Sequence, residues 1–505
     1  MLRDRYAPVQ LFDLVPALQL RFEPELAELD RLLDDDQLFQ QVKTDLARRR
    51  PHTLQTGRPS TPVEVILRLL VVQHLYQWSY EQVERFVNDS LVLRQFCRLG
   101  LEPVPHDTTL LRWANLIQAE TLHRLLDRVT ELAQTLSVTR GRKLRVDSTV
   151  VETTIHHPSD SGLLADGVRV LSRLVRRAGD LLARGTEPLF RDRTRSAKRL
   201  MRRIHASAAV VGRGAAAAAA ERTELYRRLL EVTRASLRQA ESVQQLLQAG
   251  AGDAVQRVRA QVEHVVPLVQ QVCAQARRRV LEGEAVSATD KLVSLFEPHT
   301  AVIRRGKLPT PTEFGAKVML DEVDGGLVTR YAILDGNPPD APQLPVSLDH
   351  HQVQFGHPPH TAAADRAFST TDNEHYAAQA GVPCVAIPKP GKCSAQRRAW
   401  EQRPAFRRAA RFRAGIAGRI SVLKRAFGLR RCRYHVSLLG TPTPWHPCVD
   451  QESPPIGPRR QCVASFANVS GLYFRADRAV GRRRLAAARS AMQPALDATK
   501  ASASF

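Results

Sequence analysis

Two runs of strand-forming residues constrain this chain most. Leu144-Arg145-Val146-Asp147-Ser148-Thr149-Val150-Val151 is rich in β-branched side chains, and Thr361-Ala362-Ala363-Ala364 is a short apolar run. Asp147 lies inside the first run and Asp365 ends the second. A carboxylate among apolar strand residues is costly unless it is paired or binds a cation. Two such acids predict an oxygen-ligated divalent metal site, and Mg²⁺ suits carboxylates combined with phosphate oxygens. The alternative is that the two aspartates are unrelated and cap turns or accept backbone N–H groups.

The charge of the chain bears on that choice. Lys and Arg number 74 against 51 Asp and Glu, a formal charge of +23 over 505 residues. An excess of this size predicts a polyanionic partner, DNA or RNA first, because phosphate neutralisation dominates such binding. A solvated basic surface is the plainer alternative. The basic residues concentrate between Lys389 and Arg433, where three lysines and twelve arginines face one acid, Glu401. Within it Phe406, Ala409, Phe412, Ile416, Ile420, Leu423 and Phe427 recur at steps of three or four. That spacing predicts an amphipathic helix with one stripe on a core and the other face toward phosphates.

Elsewhere the pattern alternates between helix and strand. Residues 1–36 are acidic and helices follow. Thr61-Pro62-Val63-Glu64 reads as a helix start with a Thr61 cap and a Glu64 capping box. Ser79 begins a second helix, and Asp107 or Thr108 caps a third that carries Arg112 and Trp113. Short helices joined by tight turns fit a helix-turn-helix-like DNA reader, with Arg112 a candidate DNA contact, or a plain helical bundle. From Asp166 to about Gly283 the sequence is helical and rich in Ala, Arg, Leu and Gln, with breaks at Gly185, Gly212, Gly214, Gly250 and Gly252. Strands return at 315–334 as a hairpin around Asp324-Gly325-Gly326. A Pro-rich loop covers 337–345, a helix spans Thr371 to Ala380, and Val382–Ile387 reads as a buried strand. After Val436 a Pro- and Ser/Thr-rich stretch predicts little fixed structure to the end.

The seven cysteines form no CxxC pair, which predicts free thiols in a reducing cytoplasm. Cys432, His435, His446 and Cys448 imitate zinc ligands but at irregular spacing. The first residues lack the apolar core of a secretory leader, and Val63 to Tyr76 is too short and too charged to span a bilayer.

Several separated blocks together resemble a known family. Leu144 to Thr153 and Ile155 to Ser161 resemble the first catalytic block of bacterial insertion-sequence DDE transposases, most closely the ISNCY-like group near the YREK-signature transposases. The likeness continues through Leu164–Arg169, Phe314–Lys317 and Ile333–Pro338, with Ala364-Asp365-Arg366-Ala367-Phe368-Ser369 as the second block and Phe412–Arg431 as the third. The resemblance implies an α/β chain with an RNase H-like mixed sheet flanked by helices. It implies a helical DNA-binding domain at 1–137, catalytic parts at 138–165 and 296–435, a helical insertion at 166–295, and an irregular tail at 436–505. It also implies three acids that hold Mg²⁺ (or Mn²⁺ in its place), with Asp147 and Asp365 in the first two positions. The third block of the family reads Arg, three residues, Glu, six residues, Lys. Here Arg413 and Lys424 keep that spacing as DNA contacts, but the glutamate position is Ala417 and the signature tyrosine is Ala410. The implied partners are double-stranded DNA, as terminal inverted repeats and target, and a second copy of the chain, acting at a bacterial nucleoid without a membrane. The missing acid implies impaired DNA cleavage and strand transfer, or a protein that binds DNA without cutting it. The abrupt change after Val436 reads as a shifted frame or a replaced terminus.

Overall fold

The fold is built on a mixed sheet that packs helices on both faces. It is described from a computed structural model covering residues 1–6, 21–50, 52–182, 190–248, 250, 252–304 and 311–432. The tail, its apparent frame change, His435, His446, Cys448 and Gly185 lie outside these residues.

The chain opens with helices α1 (Pro24–Leu33), α2 (Asp36–Ala47), α3 (Val63–Tyr76), α4 (Tyr80–Asp89), α5 (Leu91–Phe96), α6 (Asp107–Ala114) and α7 (Ala119–Thr135). α3 is buried on nearly all sides, and its two charged residues are absorbed by ion pairs. Arg68 is fully buried and meets Asp30 at 2.6 Å and Asp34 at 2.8 Å, which clamps the acidic α1 region onto α3. Glu64 pairs with Arg5 and Arg68, so the capping box expected with Thr61 does not form, and Pro62 stands at the cap position without a side-chain bond. The expected Ser79 start is present, with a reciprocal bond to Gln82. The third start differs: His106, not Asp107 or Thr108, occupies the cap of α6.

β1 (Lys143–Glu152) follows, and the chain then leaves the sheet for a long helical excursion. α8 (Asp160–Leu182) begins earlier than the periodicity indicated, because Asp160 bonds Gln275 and Arg279 and so belongs to the helical layer. α9 (Thr194–Ala208), α10 (Ala215–Gln248) and α11 (Asp253–Ala276) complete it around a core of Leu164, Leu171, Leu229, Val262 and Val269. The chain returns as β2 (Ala301–Arg304), β3 (Thr312–Val323) and β4 (Val328–Leu334), then α12 (Gln343–Phe355), β5 (Thr361–Ala363), α13 (Thr371–Gln379), β6 (Cys384–Ala386), α14 (Ala395–Gln402) and α15 (Pro404–Ala426). The Pro-rich stretch read as a loop through 345 already contains the first turn of α12.

Among the described residues the sheet runs β2-β3-β1-β5-β6, with β4 sharing the outer edge of β3. β1 is antiparallel to β3 and parallel to β5, and β5 is parallel to β6. The β3–β4 turn uses Gly325 at φ +88° and Gly326 at φ +79°, a conformation that favours glycine. Even-numbered β1 residues Leu144 and Val146 pack with Met319, Leu344, Leu348, Phe368 and Ala377 under α12 and α13. The opposite face buries Val151, Val318 and Leu320 under Leu423 of α15, Phe427 at its C-terminal cap and Leu126 of α7. Near β5 and β6 that face buries Ala363 and Ala386 beneath Phe406 and Ala409 of α15. The basic helix therefore crosses the odd-numbered face of the sheet, the face of Asp147. No helix among the described residues is long and apolar enough to cross a membrane.

Candidate active site

Strand register sets the site. The parallel ladder between β1 and β5 pairs Lys143 with Thr361, Leu144 with Ala362 and Arg145 with Ala363, and it ends there. Two residues further along each strand stand Asp147 and Asp365, at matched positions where the strands part. Past this opening the edge of β1 is taken up again by the segment after α15, where Glu152 N–H donates to Arg430 O and Cys432 N–H to Glu152 O.

Both acids divide their oxygens in the same way. Oδ1 of Asp147 accepts the Ser148 N–H at 2.8 Å, and Oδ1 of Asp365 accepts the Ala367 N–H at 2.8 Å, capping the turn Arg366–Phe368. Their Oδ2 atoms face Arg413 of α15, which lies 3.3 Å from Asp147 and 3.7 Å from Asp365, measured to the same Nη2. Each aspartate thus uses one oxygen to accept a backbone N–H and turns the other toward Arg413. The Asp147 side chain is 17% exposed and that of Asp365 32% exposed, so both carboxylates reach solvent.

α15 is held over this opening by a second ionic group, which the sequence did not disclose. Glu322 of β3 is the register partner of Arg145 and is completely buried. Arg145 donates to both its oxygens, at 2.9 and 2.5 Å, and Arg419 of α15 donates at 3.2 Å. Arg145 also donates to the carbonyl of Phe412 at 2.5 Å and stacks under its ring at 4.6 Å. The absence of a side chain at Gly415 admits the Arg145 guanidinium against the helix; a Cβ there would collide with it. The one advance signal was the odd-position alternation of Arg145 with Asp147 on β1.

Ala417, which the resemblance placed at the third acid position, lies one turn beyond Arg413 and is exposed. Lys424 is half-buried near the end of α15. The two glutamates near Ala417 in sequence are engaged elsewhere: Glu374 and Glu401 both pair with Arg397, at 2.6 and 2.9 Å. Burial acts to raise the Glu401 carboxyl, but the Lys389 N–H and Arg397 outweigh it and leave it below its ordinary range. Ala410 packs beside Phe406 and Ala409.

Arg112 is not part of this group. It is exposed on α6, near Arg49, which stacks over Trp113 at 4.8 Å. Burial and the neighbouring Arg50 and Arg112 charges lower the pKa of Arg49 from its ordinary value. Among the described residues, Glu84, His106 and Asp107 also place ligand-type atoms within 4.8 Å of one another. Glu84 accepts the Asp107 N–H at 2.7 Å, so this group serves the start of α6. Five cysteines lie among the described residues, and all are free.

Comparison with known proteins supplies the lineage. Residues 13–116 match the family model described as "Transposase domain (DUF772)". The chain is 30% identical over 159 residues to "Uncharacterized protein ORF8 in nfe locus" of Rhizobium meliloti, across 30% of this chain and 74% of that protein. The chain belongs to the transposase family. The matched segment of this transposase covers α1 to α6, while the two acids and Arg413 lie in the sheet region beyond it. No solved structure matches the chain.

Proposed function

We propose that this transposase carries a DDE-type centre on an RNase H-like sheet, with two of three acids in place and DNA cleavage impaired by Ala417. The observation that carries this reading is the convergence of Asp147 Oδ2 and Asp365 Oδ2 on one nitrogen of Arg413. Two carboxylate oxygens that share one cationic nitrogen can share one cation. The all-oxygen donor set fits Mg²⁺ or Mn²⁺, which complete their shells with water and substrate oxygens. The first acid on the central strand, the second after the neighbouring parallel strand, and a basic helix across the same face support the RNase H-like assignment.

Asp147 and Asp365 would hold the ion. When bound, it supplies activation of an attacking water and stabilisation of the leaving oxygen of a phosphodiester. Arg413, freed from the two carboxylates, grips a phosphate beside them, and Lys424 adds a second charge along α15. Arg112 and its neighbours contact the terminal repeats of the element. A competent relative would then join the freed 3′-hydroxyl to target DNA as a dimer on two ends.

The methyl of Ala417 supports a second reading, in which the protein binds transposon ends without cutting them. Groups that act as a unit at one centre lose several orders of magnitude in rate when one is removed. Supercoiled DNA bearing the element's ends, incubated with Mg²⁺ or Mn²⁺, separates the two readings. Weak cutting by the chain as written and strong cutting by Ala417→Glu support the impaired-transposase reading. Absent cutting by both supports binding alone. Robust cutting by the unaltered chain overturns the assignment of Ala417 as the missing part.

A further inference from the structure

The helical insertion carries a charged surface that the centre does not use. α9 holds Arg195, Lys198, Arg199, Arg202 and Arg203 and no acid. Its other side is anchored: Ala197, Ile204 and Ser207 are buried, and Leu200 packs on the insertion core. Arg203 is paired with Glu221 at 2.6 Å. Arg195, Lys198, Arg199 and Arg202 are all exposed, and no ion pair joins any of them to an acid among the described residues. Steps of three, one and three put these four on one face, spread over about 10 Å of helix. They surround a shallow depression of about 360 Å³. Like charges packed this closely repel one another, and a row of anions relieves the repulsion. His205, near the end of α9, lies 3.3 Å from Ser159 and 3.1 Å from Ser161, in the segment that leads out of β1. The basic face is thereby fixed to the exit of the strand that bears Asp147.

We propose that the exposed face of α9 binds the phosphate backbone of double-stranded DNA independently of sequence, as a surface separate from Arg112 and from the Arg413 group. The choice of duplex DNA rests on the transposase reading; the charge row itself asks only for regularly spaced phosphates. A rigid helix face presenting four cations in two turns fits a duplex backbone better than a flexible single strand, because neither side must be ordered on binding.

The full chain is titrated with a scrambled duplex of three helical turns, about 30 base pairs, at several salt concentrations, beside the variant R195Q/K198Q/R199Q/R202Q. Glutamine keeps helix propensity at these exposed sites, and circular dichroism with thermal melting checks that the variant is folded. The proposal expects the slope of log K against log salt to fall by about 3 to 4, and affinity near 0.1 M salt to fall on the order of 100-fold. The single variants K198Q and R202Q, which leave the insertion core untouched, each lower the slope by about 1. Unchanged slope and affinity in the variants, while the unaltered chain binds the duplex, overturns the role of α9 and leaves the transposase reading standing. No duplex binding by the unaltered chain at any salt overturns both. A single-stranded RNA that binds more tightly than the duplex, and loses that advantage in the variant, overturns the assignment to duplex DNA.

Discussion

Removing the charge of Glu322 tests how the centre is assembled. Its carboxylate is fully buried and serves Arg145, 11% exposed, and Arg419, 15% exposed. Glu322→Gln keeps the shape but leaves two guanidinium groups enclosed without a counter-charge. Breaking a buried pair from one side costs about 3–5 kcal/mol. Arg419→Gln removes one 3.2 Å contact and leaves Glu322 paired with Arg145, so about 1.5–3 kcal/mol, the value of a hydrogen bond to a charged group, is an upper bound. The loss falls on α15, because Arg145 and Arg419 fasten that helix to the sheet. Amide exchange of peptides covering 404–426 reads it directly. At 1.36 kcal/mol per tenfold, protection of α15 falls by about 10²-fold or more in Glu322→Gln and by less in Arg419→Gln. Peptides from α10 and α11, which pack around a separate core, stay unchanged. Equal protection of α15 in Glu322→Gln and the unaltered protein would refute the claim that this ionic group positions Arg413 over the acids.

Other expectations follow from the same geometry. Ala417→Glu changes stability by no more than about 0.5 kcal/mol, since position 417 is exposed, and raises Mn²⁺-dependent cutting by about 10²-fold or more; a melt and a nicking assay measure the two. His351 is buried, its pKa is pushed down to about 4, and its Nε2–H donates to the Gly141 carbonyl at 2.8 Å. Burial is the main cause, so the folded state resists protonation while the unfolded chain takes up a proton near 6.5. Stability from this residue is therefore full above pH 6.5 and declines as pH falls toward 4, by about 3 kcal/mol. Urea unfolding across that window shows a flatter profile in His351→Gln. Arg112→Gln lowers the salt slope of end binding by about 1, read from titrations at several salt concentrations, and leaves metal binding unchanged.

Much of this arrangement was legible in the residues themselves. β1 announced itself by β-branched side chains, the β3–β4 hairpin by Asp324-Gly325-Gly326, and α15 by its apolar stripe. The two acids could be named because a carboxylate in an apolar strand needs a reason. What stayed hidden depends on contacts between distant parts of the chain. Arg145 and Glu322 are 177 residues apart, and only the strand register makes them partners. Helix α12 was masked by Pro342 and Pro345, which usually signal a loop but are tolerated in a first turn, where the N–H has no partner to lose. The Thr61 cap failed because the Val63 and Glu64 N–H groups donate to the Arg3 and Asp4 carbonyls while ion pairs hold the Glu64 side chain, and the cap of α6 fell to His106 while Glu84 took the Asp107 N–H.

Binding of Mn²⁺ to the folded protein, followed by electron paramagnetic resonance, tests the central claim without requiring any DNA to be cut. The account predicts a bound ion that Mg²⁺ displaces, that is lost in Asp147→Asn and equally in Asp365→Asn, and that binds more tightly in Arg413→Gln, where the competing guanidinium is gone. Retention of the same ion at the same affinity in both aspartate variants would contradict it.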